Sequence, residues 1–312
     1  NINLKPETIG TGNPFKQRGS INQIKLPNEK KSAYPWTVRF NKDYPKDVNK
    51  IYSELKIEKI HRLEAPSGKP TSLKKYLALD NISFQYKTSS LPNLDNINIR
   101  IKAGQKVGII GSTGAGKTTL ADIILGLLSP TRGRLIVDGK TIRDLTSWRQ
   151  NIGYVPQNIF LADTTIAQNI ALGLPFHEIC DAKLVLAAKT AQLHDFIETQ
   201  LPNGYETMVG ERGVQLSGGQ IQRIGIARSL YNGADLIVFD EATSALDNLT
   251  ELDLMAAIDA LSGDKTIIVI AHRLQTIENC DQIILMERGK VHAQGTWQEL
   301  ATKNTEFQKL IR

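Results

Sequence analysis

The sequence predicts an α/β fold built on a mostly parallel sheet with helices on both faces. Three observations carry that expectation. The runs Val107–Ile110, Leu236–Asp240 and Thr266–Ala271 have strand length and are apolar almost throughout, as strands buried on two faces are. Segments of helical spacing lie between them. A glycine-rich stretch, Gly111 to Gly116, stands where the first of these strands feeds a helix. With 312 residues, 41% of them hydrophobic, the chain can build one large domain or two ordinary ones.

The elements follow in order. Residues 1–44 mix Pro, Gly, Asn and Lys without a sustained period and read as poorly ordered. From Asp47 to Leu63, Ile51, Leu55, Ile60 and Leu63 recur at near-helical spacing, which predicts a short amphipathic helix. Residues 64–75 read as a linker, and the main domain is expected over 76–312. There Asn96–Ile101 alternates, Ala103-Gly104-Gln105 turns, and a helix is expected over Thr118–Leu128, stopped by Pro130. Leu135–Val137 with Asp138-Gly139 reads as strand and turn. One amphipathic helix is expected over 181–199, marked by Leu184, Val185, Ala188, Ala191 and Phe196. Further helices are expected at 221–230, about 249–262 and about 296–309, with a strand at Gln282–Met286. No internal repeat is visible.

Composition excludes several classes. No apolar run approaches the roughly 18–20 residues of a membrane span, so this chain by itself is expected to cross no membrane. No basic-then-apolar leader is read, and an opening Asn rather than Met suggests a fragment or a processed chain. Cys180 and Cys280 form no CxxC pair, which argues against a disulfide scaffold or structural zinc and fits a reducing compartment. The net charge of +6 is uneven: residues 1–75 hold 16 Lys/Arg against 7 Asp/Glu, and the rest is slightly acidic. Such a basic segment suits nucleic acid, an anionic membrane face, or simply a solvated arm.

The stretch Gly111, Ser112, Thr113, Gly114, Ala115, Gly116, Lys117, Thr118 fits GxxxxGK[ST], after a strand and opening a helix. Glycines let the backbone curl so that its N–H groups point at phosphate oxygens, and the helix N-terminus adds positive partial charge. Lys117 is placed to reach β- and γ-phosphates and the Thr118 hydroxyl to ligate Mg²⁺, with Thr119 next in the helix. Asp240 ends an apolar strand, where open α/β sheets bind ligands, and is the candidate Mg²⁺ carboxylate. Glu241 beside it is the candidate to orient and deprotonate an attacking water.

Leu216, Ser217, Gly218, Gly219 and Gln220 form a second glycine-rich helix start, with Ser217 a candidate N-cap and phosphate donor. Two such starts about a hundred residues apart bind separate ligands, or two copies of the chain share ligands between them. LSGGQ between GxxxxGKT and FDEATSALD resembles the nucleotide-binding domain of an ATP-binding cassette (ABC) transporter. The resemblance covers about 76–312.

That resemblance implies a P-loop NTPase (RecA-like) core, an antiparallel β subdomain and an α-helical signature subdomain over about 158–232. It implies ATP and Mg²⁺ as cofactors. Tyr86 then resembles the aromatic that stacks on adenine, and Gln157 the glutamine that senses Mg²⁺ and the γ-phosphate. Ser244, Ala245, Leu246 and Asp247 resemble the loop that communicates across the dimer, and His272 the γ-phosphate histidine. Seen alone, Tyr86 reads as sheet packing and His272 as a satisfied polar residue; joint order and spacing carry the assignment. Thr207–Gly213, Thr165–Ile170 and Gly295–Leu300 resemble exporter-type cassettes. The implied protein is an ATP-hydrolysing exporter motor on the cytoplasmic face of a cell or organelle membrane. It pairs with itself or a similar ABC chain, with Ser217–Gln220 acting on the partner's ATP. It works on membrane domains outside this chain, whose cytoplasmic loops meet Gln157, residues 158–175 and Glu211. No nucleic-acid partner is expected. A soluble ABC ATPase and an importer subunit are the alternatives.

Overall fold

The computed structural model describes residues 69–210, 216–240, 248–271 and 273–311. The basic arm, the helix expected at 47–63, Glu211, Glu241, Ser244–Asp247 and His272 lie outside the described residues.

Two sheets organise the domain. Strands β1 (Tyr76–Phe84), β2 (Leu94–Lys102), β4 (Arg132–Val137) and β5 (Lys140–Thr141) form an antiparallel sheet in the order β2-β1-β4-β5. The second sheet has the order β10-β9-β3-β8-β7-β6, with β3 (Lys106–Gly111), β6 (Ile152–Val155), β7 (Leu236–Asp240), β8 (Thr266–Ile270), β9 (Gln282–Glu287) and β10 (Lys290–Gly295). β6, β7, β8, β3 and β9 pair in parallel, and β10 returns antiparallel to β9 as one edge.

The apolar strands are apolar on both faces because each face has its own core. Leu236, Val238, Ile268 and Ile270 join β1, β2 and α1 (Lys117–Ile124) in one cluster. Ile237, Phe239, Ile267 and Val269 join the other, with α6 (Gly218–Tyr231) and α7 (Asn248–Asp259). Alternate side chains of a strand point to opposite faces, so one short run serves both layers.

Four helices differ from the sequence reading. The helix expected over 118–128 ends at Ile124, because Gly126 turns left-handed at φ 70° and the chain leaves the helix axis four residues before Pro130. Its last carbonyls are taken up from α2 (Leu145–Arg149): Trp148 Nε1 donates to Ile124 O at 2.7 Å and Arg149 Nη1 to Gly126 O at 2.8 Å. The single helix expected over 181–199 is two, α4 (Asp181–Thr190) and α5 (His194–Gln200), broken where Gln192 takes φ 53°. Arg223 Nη1 donates to Gln192 O at 2.7 Å, so a long-range bond holds the break open. The last helix is likewise two, α8 (Trp297–Lys303) and α9 (Thr305–Leu310). Asn304 caps the second by accepting from Phe307 N at 2.8 Å. The helix placed near 249–262 stops at Asp259.

Residues 71–75, read as linker, are bonded into the domain. The Asp138 carboxylate accepts from the backbone N–H of Lys74, Lys75 and Tyr76, and Asp235 Oδ2 from Leu73 N and Ser72 Oγ. Asn151 ties the two parts together, donating to Asp235 and to Thr71 O. A cavity of about 520 Å³ lined by residues such as Lys69, Thr71, Lys140 and Arg143 adjoins this segment.

Candidate nucleotide site

The loop from Gly111 to Gly116 leaves β3 and enters α1. Two glycines have no substitute there. Gly116 is the N-cap of α1 at φ 98°, and a Cβ on it would stand 2.9 Å from Asn93 O and from Leu94 Cδ2. A Cβ on Gly111 would stand 2.2 Å from Met286 O of β9. Ala115 is buried; its N–H donates to Ser112 O and its carbonyl accepts from Gly289 N, both at 3.0 Å. The loop is therefore held from below by the β9–β10 turn, while Ser112, Thr113 and Gly114 are exposed.

Lys117 is buried to 6% exposure, and its Nζ donates to Gly111 O at 2.8 Å and Ser112 O at 3.2 Å. The ammonium thus sits across the start of the loop, within the curve of backbone. Thr118 is exposed one residue on, and Thr119 packs inward. Asp122 lies four residues beyond Thr118, on the same helix face.

Asp240 closes β7 in register with Ile270 of β8. Tyr154 of β6 donates its phenol to Asp240 Oδ2 at 3.1 Å. Burial first, and then the charge of Asp240, hold the Asp122 carboxyl above its usual range. Burial and the same Asp240 charge push the Tyr154 phenol up as well. The fold therefore gathers Thr118, Asp122, Tyr154 and Asp240 at the carboxyl end of the parallel strands, beside the loop.

Gln157 follows β6 and Pro156 and is exposed. Its backbone carbonyl accepts from Gln222 Nε2 of α6 at 3.0 Å. Arg228, also on α6, donates to Phe160 O at 3.0 Å and to Asn169 O of α3 (Ile166–Ile170) at 2.9 Å. Gly225 makes room for Ile159, whose Cδ1 would be 2.1 Å from a Cβ there. The segment after Gln157 is thus bonded to the helix that Ser217 starts. Ser217 is the N-cap of α6 in a capping box: its Oγ accepts from Gln220 N at 3.3 Å, and Gln220 Oε1 accepts from Ser217 N at 2.8 Å. Ser217 and Gly218 are exposed, Gly219 is buried, and Leu216 packs at the rim of the larger core.

Tyr86 is 38% exposed and sits edge-on to Phe84 with ring centroids 4.8 Å apart. Its N–H donates to Asn93 Oδ1 at 3.1 Å, and the Asn93 carbonyl is the group that crowds Gly116. The loop after β1 therefore rests against the start of α1.

Sequence reasoning missed Asp122, Tyr154, Gln222 and Asn93. Asp122 carried a signal, the four-residue spacing from Thr118. The others meet the site only through strand order and helix packing.

Residues 94–244 match the ABC transporter family. The chain carries the ATP-binding domain of an ABC transporter. A putative multidrug export ATP-binding/permease protein of Staphylococcus aureus (strain NCTC 8325 / PS 47) is 43% identical to it over 234 residues, 74% of this chain and 40% of that protein. An ATP-dependent lipid A-core flippase of Methylobacillus flagellatus is 40% identical over 238 residues, 76% of this chain and 40% of that protein. A solved bacterial Atm1-family ABC exporter with ATP bound superposes with a TM-score of 0.73 at 35% identity, covering 85% of this chain and 46% of that one. The ABC chain thus spans about 40% of the length of the curated relatives it matches. Its two-sheet architecture is the P-loop NTPase fold of that family's ATPase domain, as the sequence led one to expect.

Proposed function

We propose that this chain is the ATP-hydrolysing motor of an ABC exporter, working on membrane domains outside the residues given. The observation that supports this most is the assembly of Lys117 and its loop with Thr118 and Asp240 at one end of the parallel sheet. The names of the relatives, which are exporters and a flippase, favour export over the soluble and importer alternatives. Among the described residues no helix is long and apolar enough to cross a membrane, so the membrane part of the proposal rests on the relatives.

In this reading the loop amides and Lys117 bind and orient the triphosphate, and Tyr86 supports the base. Among the described residues no three His, Cys, Asp or Glu side chains gather as a metal cage. A hydroxyl, one carboxylate and an amide are a donor set that fits Mg²⁺ shared with phosphates rather than an ion held by protein alone. Thr118, Asp240 and Gln157 would hold that ion, which when bound offsets phosphate charge. Glu241 accepts the proton of a water aligned on the γ-phosphate, and His272 steadies the γ-phosphate oxygens. Ser217 and Gly218, exposed at the start of α6, serve the ATP of a second chain together with Gly219 and Gln220, and Ser244 to Asp247 communicate across that pair.

Glu241→Gln tests the reading. The amide is nearly isosteric, so ATP binding should persist while turnover almost vanishes. ATPase activity within about threefold of the unmodified chain would remove Glu241 from the role.

A further inference from the structure

β6 is the outer strand of the parallel sheet, and Tyr154 stands on it three residues before Gln157. Parallel pairing sets Tyr154 beside Val238 of β7. Residues two apart on a strand share a face, so Asp240 lies one step further along the same face. That is the face α1 covers, since Val238 belongs to the cluster with Leu120 and Ile124. Asp122 approaches from α1, and its charge and that of Asp240 oppose each other there.

From different elements, then, the Asp122 charge repels the Asp240 carboxylate and the Tyr154 hydroxyl donates to it. The phenol donates to Oδ2 at 3.1 Å. The torsion that turns an aspartate carboxylate is broad, so one directed donor narrows it considerably. A carboxylate has about four lone-pair sites, and an O–H donor takes up one of them. Tyr154 is 40% exposed, at a sheet edge where water can satisfy a phenol.

We propose that Tyr154 is a positioning residue, whose hydroxyl sets the orientation in which the Asp240 carboxylate receives nucleotide-bound Mg²⁺. The inference rests on the reading of Asp240 as a metal-holding group. Tyr154 acts through Asp240.

Tyr154→Phe removes the hydroxyl and keeps the ring. Groups that orient a metal-holding side chain change metal affinity by roughly 10–100-fold, and the lower end is expected for one neutral donor. Mn²⁺ titrated onto the 312-residue chain with ATP, followed by electron paramagnetic resonance, should bind about tenfold more weakly in Tyr154→Phe. The Mg²⁺ concentration for half-maximal ATPase should rise by a similar factor. Turnover at saturating Mg²⁺ and binding of metal-free nucleotide should stay within about twofold. In an Asp240→Asn background Tyr154→Phe should add nothing, since the partner it orients is already changed. Mn²⁺ affinity within about twofold of the unmodified chain would overturn the proposal. So would an equal loss of metal-free nucleotide binding, or the full Tyr154→Phe effect persisting in Asp240→Asn, because either marks a general structural role. An unmodified chain that binds no Mn²⁺ with ATP would overturn the functional reading and this inference together. That outcome is visible before any variant is made.

Discussion

In the proposed reading, Lys117 is the residue on which nucleotide binding turns first. Its ammonium is almost wholly buried and donates to the carbonyls of Gly111 and Ser112. A cation held at the start of a loop that curls around phosphate can add charge-assisted hydrogen bonds to an anionic ligand. Lys117→Ala should lower ATP affinity by roughly 10–100-fold, the equivalent of one or two charge-assisted hydrogen bonds. A fluorescent-nucleotide titration measures it, and affinity within about twofold of the unmodified chain would mean the loop amides alone suffice. Tyr86→Ala should have the smaller effect, about 1–3 kcal/mol if a base stacks on the exposed ring. The GxxxxGKT residues were legible because their chemistry is local: eight consecutive positions contain the glycines, the cation and the hydroxyl. Tyr154 was not, because its partner lies 86 positions away on the neighbouring strand.

At the scale of elements, the segment before β1 is held by two carboxylates, Asp138 and Asp235. Burial by itself would raise both. For Asp138, the three backbone N–H groups of Lys74, Lys75 and Tyr76 outweigh it. For Asp235, the bonds from Asn151, Leu73 and Ser72 do so. Both carboxyls thus titrate below their ordinary value near 4. A depressed folded-state value stabilises the fold above the unfolded value, and that stability is lost as pH falls through the folded one. Urea unfolding midpoints should therefore drop below about pH 4, and Asp235→Asn should flatten that drop while lowering the plateau at neutral pH. An unchanged acid slope in Asp235→Asn would show that other groups carry it. A second element-scale test concerns the end of α1. Trp148 is fully buried and donates to Ile124 O, so Trp148→Phe leaves that carbonyl without its donor and should cost about 1–3 kcal/mol in chemical denaturation. Neither feature was visible in the sequence. Residues 64–75 contain the Pro, Gly and Ser of a linker, and only the fold brings Asp138 and Asp235 to their N–H groups.

At the scale of the whole molecule, the exposed loop before α1 and the exposed start of α6 suit a pair of chains that share ATP. Ser112 and Gly218 are both exposed, as a shared site requires. Ser217→Arg should reduce hydrolysis while leaving nucleotide binding by the single chain almost unchanged. Mixing it with Lys117→Ala places both lesions in one composite site and leaves the other intact, so partial ATPase activity should return. As a control, cysteines at Ser112 and Gly218 should crosslink between chains when ATP is added. Linking confined to single chains would contradict the shared site and the motor built on it.

The sequence by itself determined the α/β class, the glycine-rich loop between β3 and α1, the carboxylate that ends β7 and the glycine-rich start of α6. Each depends on residues close together in the chain, where strand burial, helix caps and backbone curl follow from neighbouring side chains. Only the tertiary structure decided where helices stop, as at Gln192 and Gly126, since bonds from Arg223, Trp148 and Arg149 hold those breaks. It alone decided that Tyr154, Asp122 and Asp240 meet. Strand order β8-β7-β6 and the packing of α1 put them together, and long-range pairing leaves no trace in local spacing.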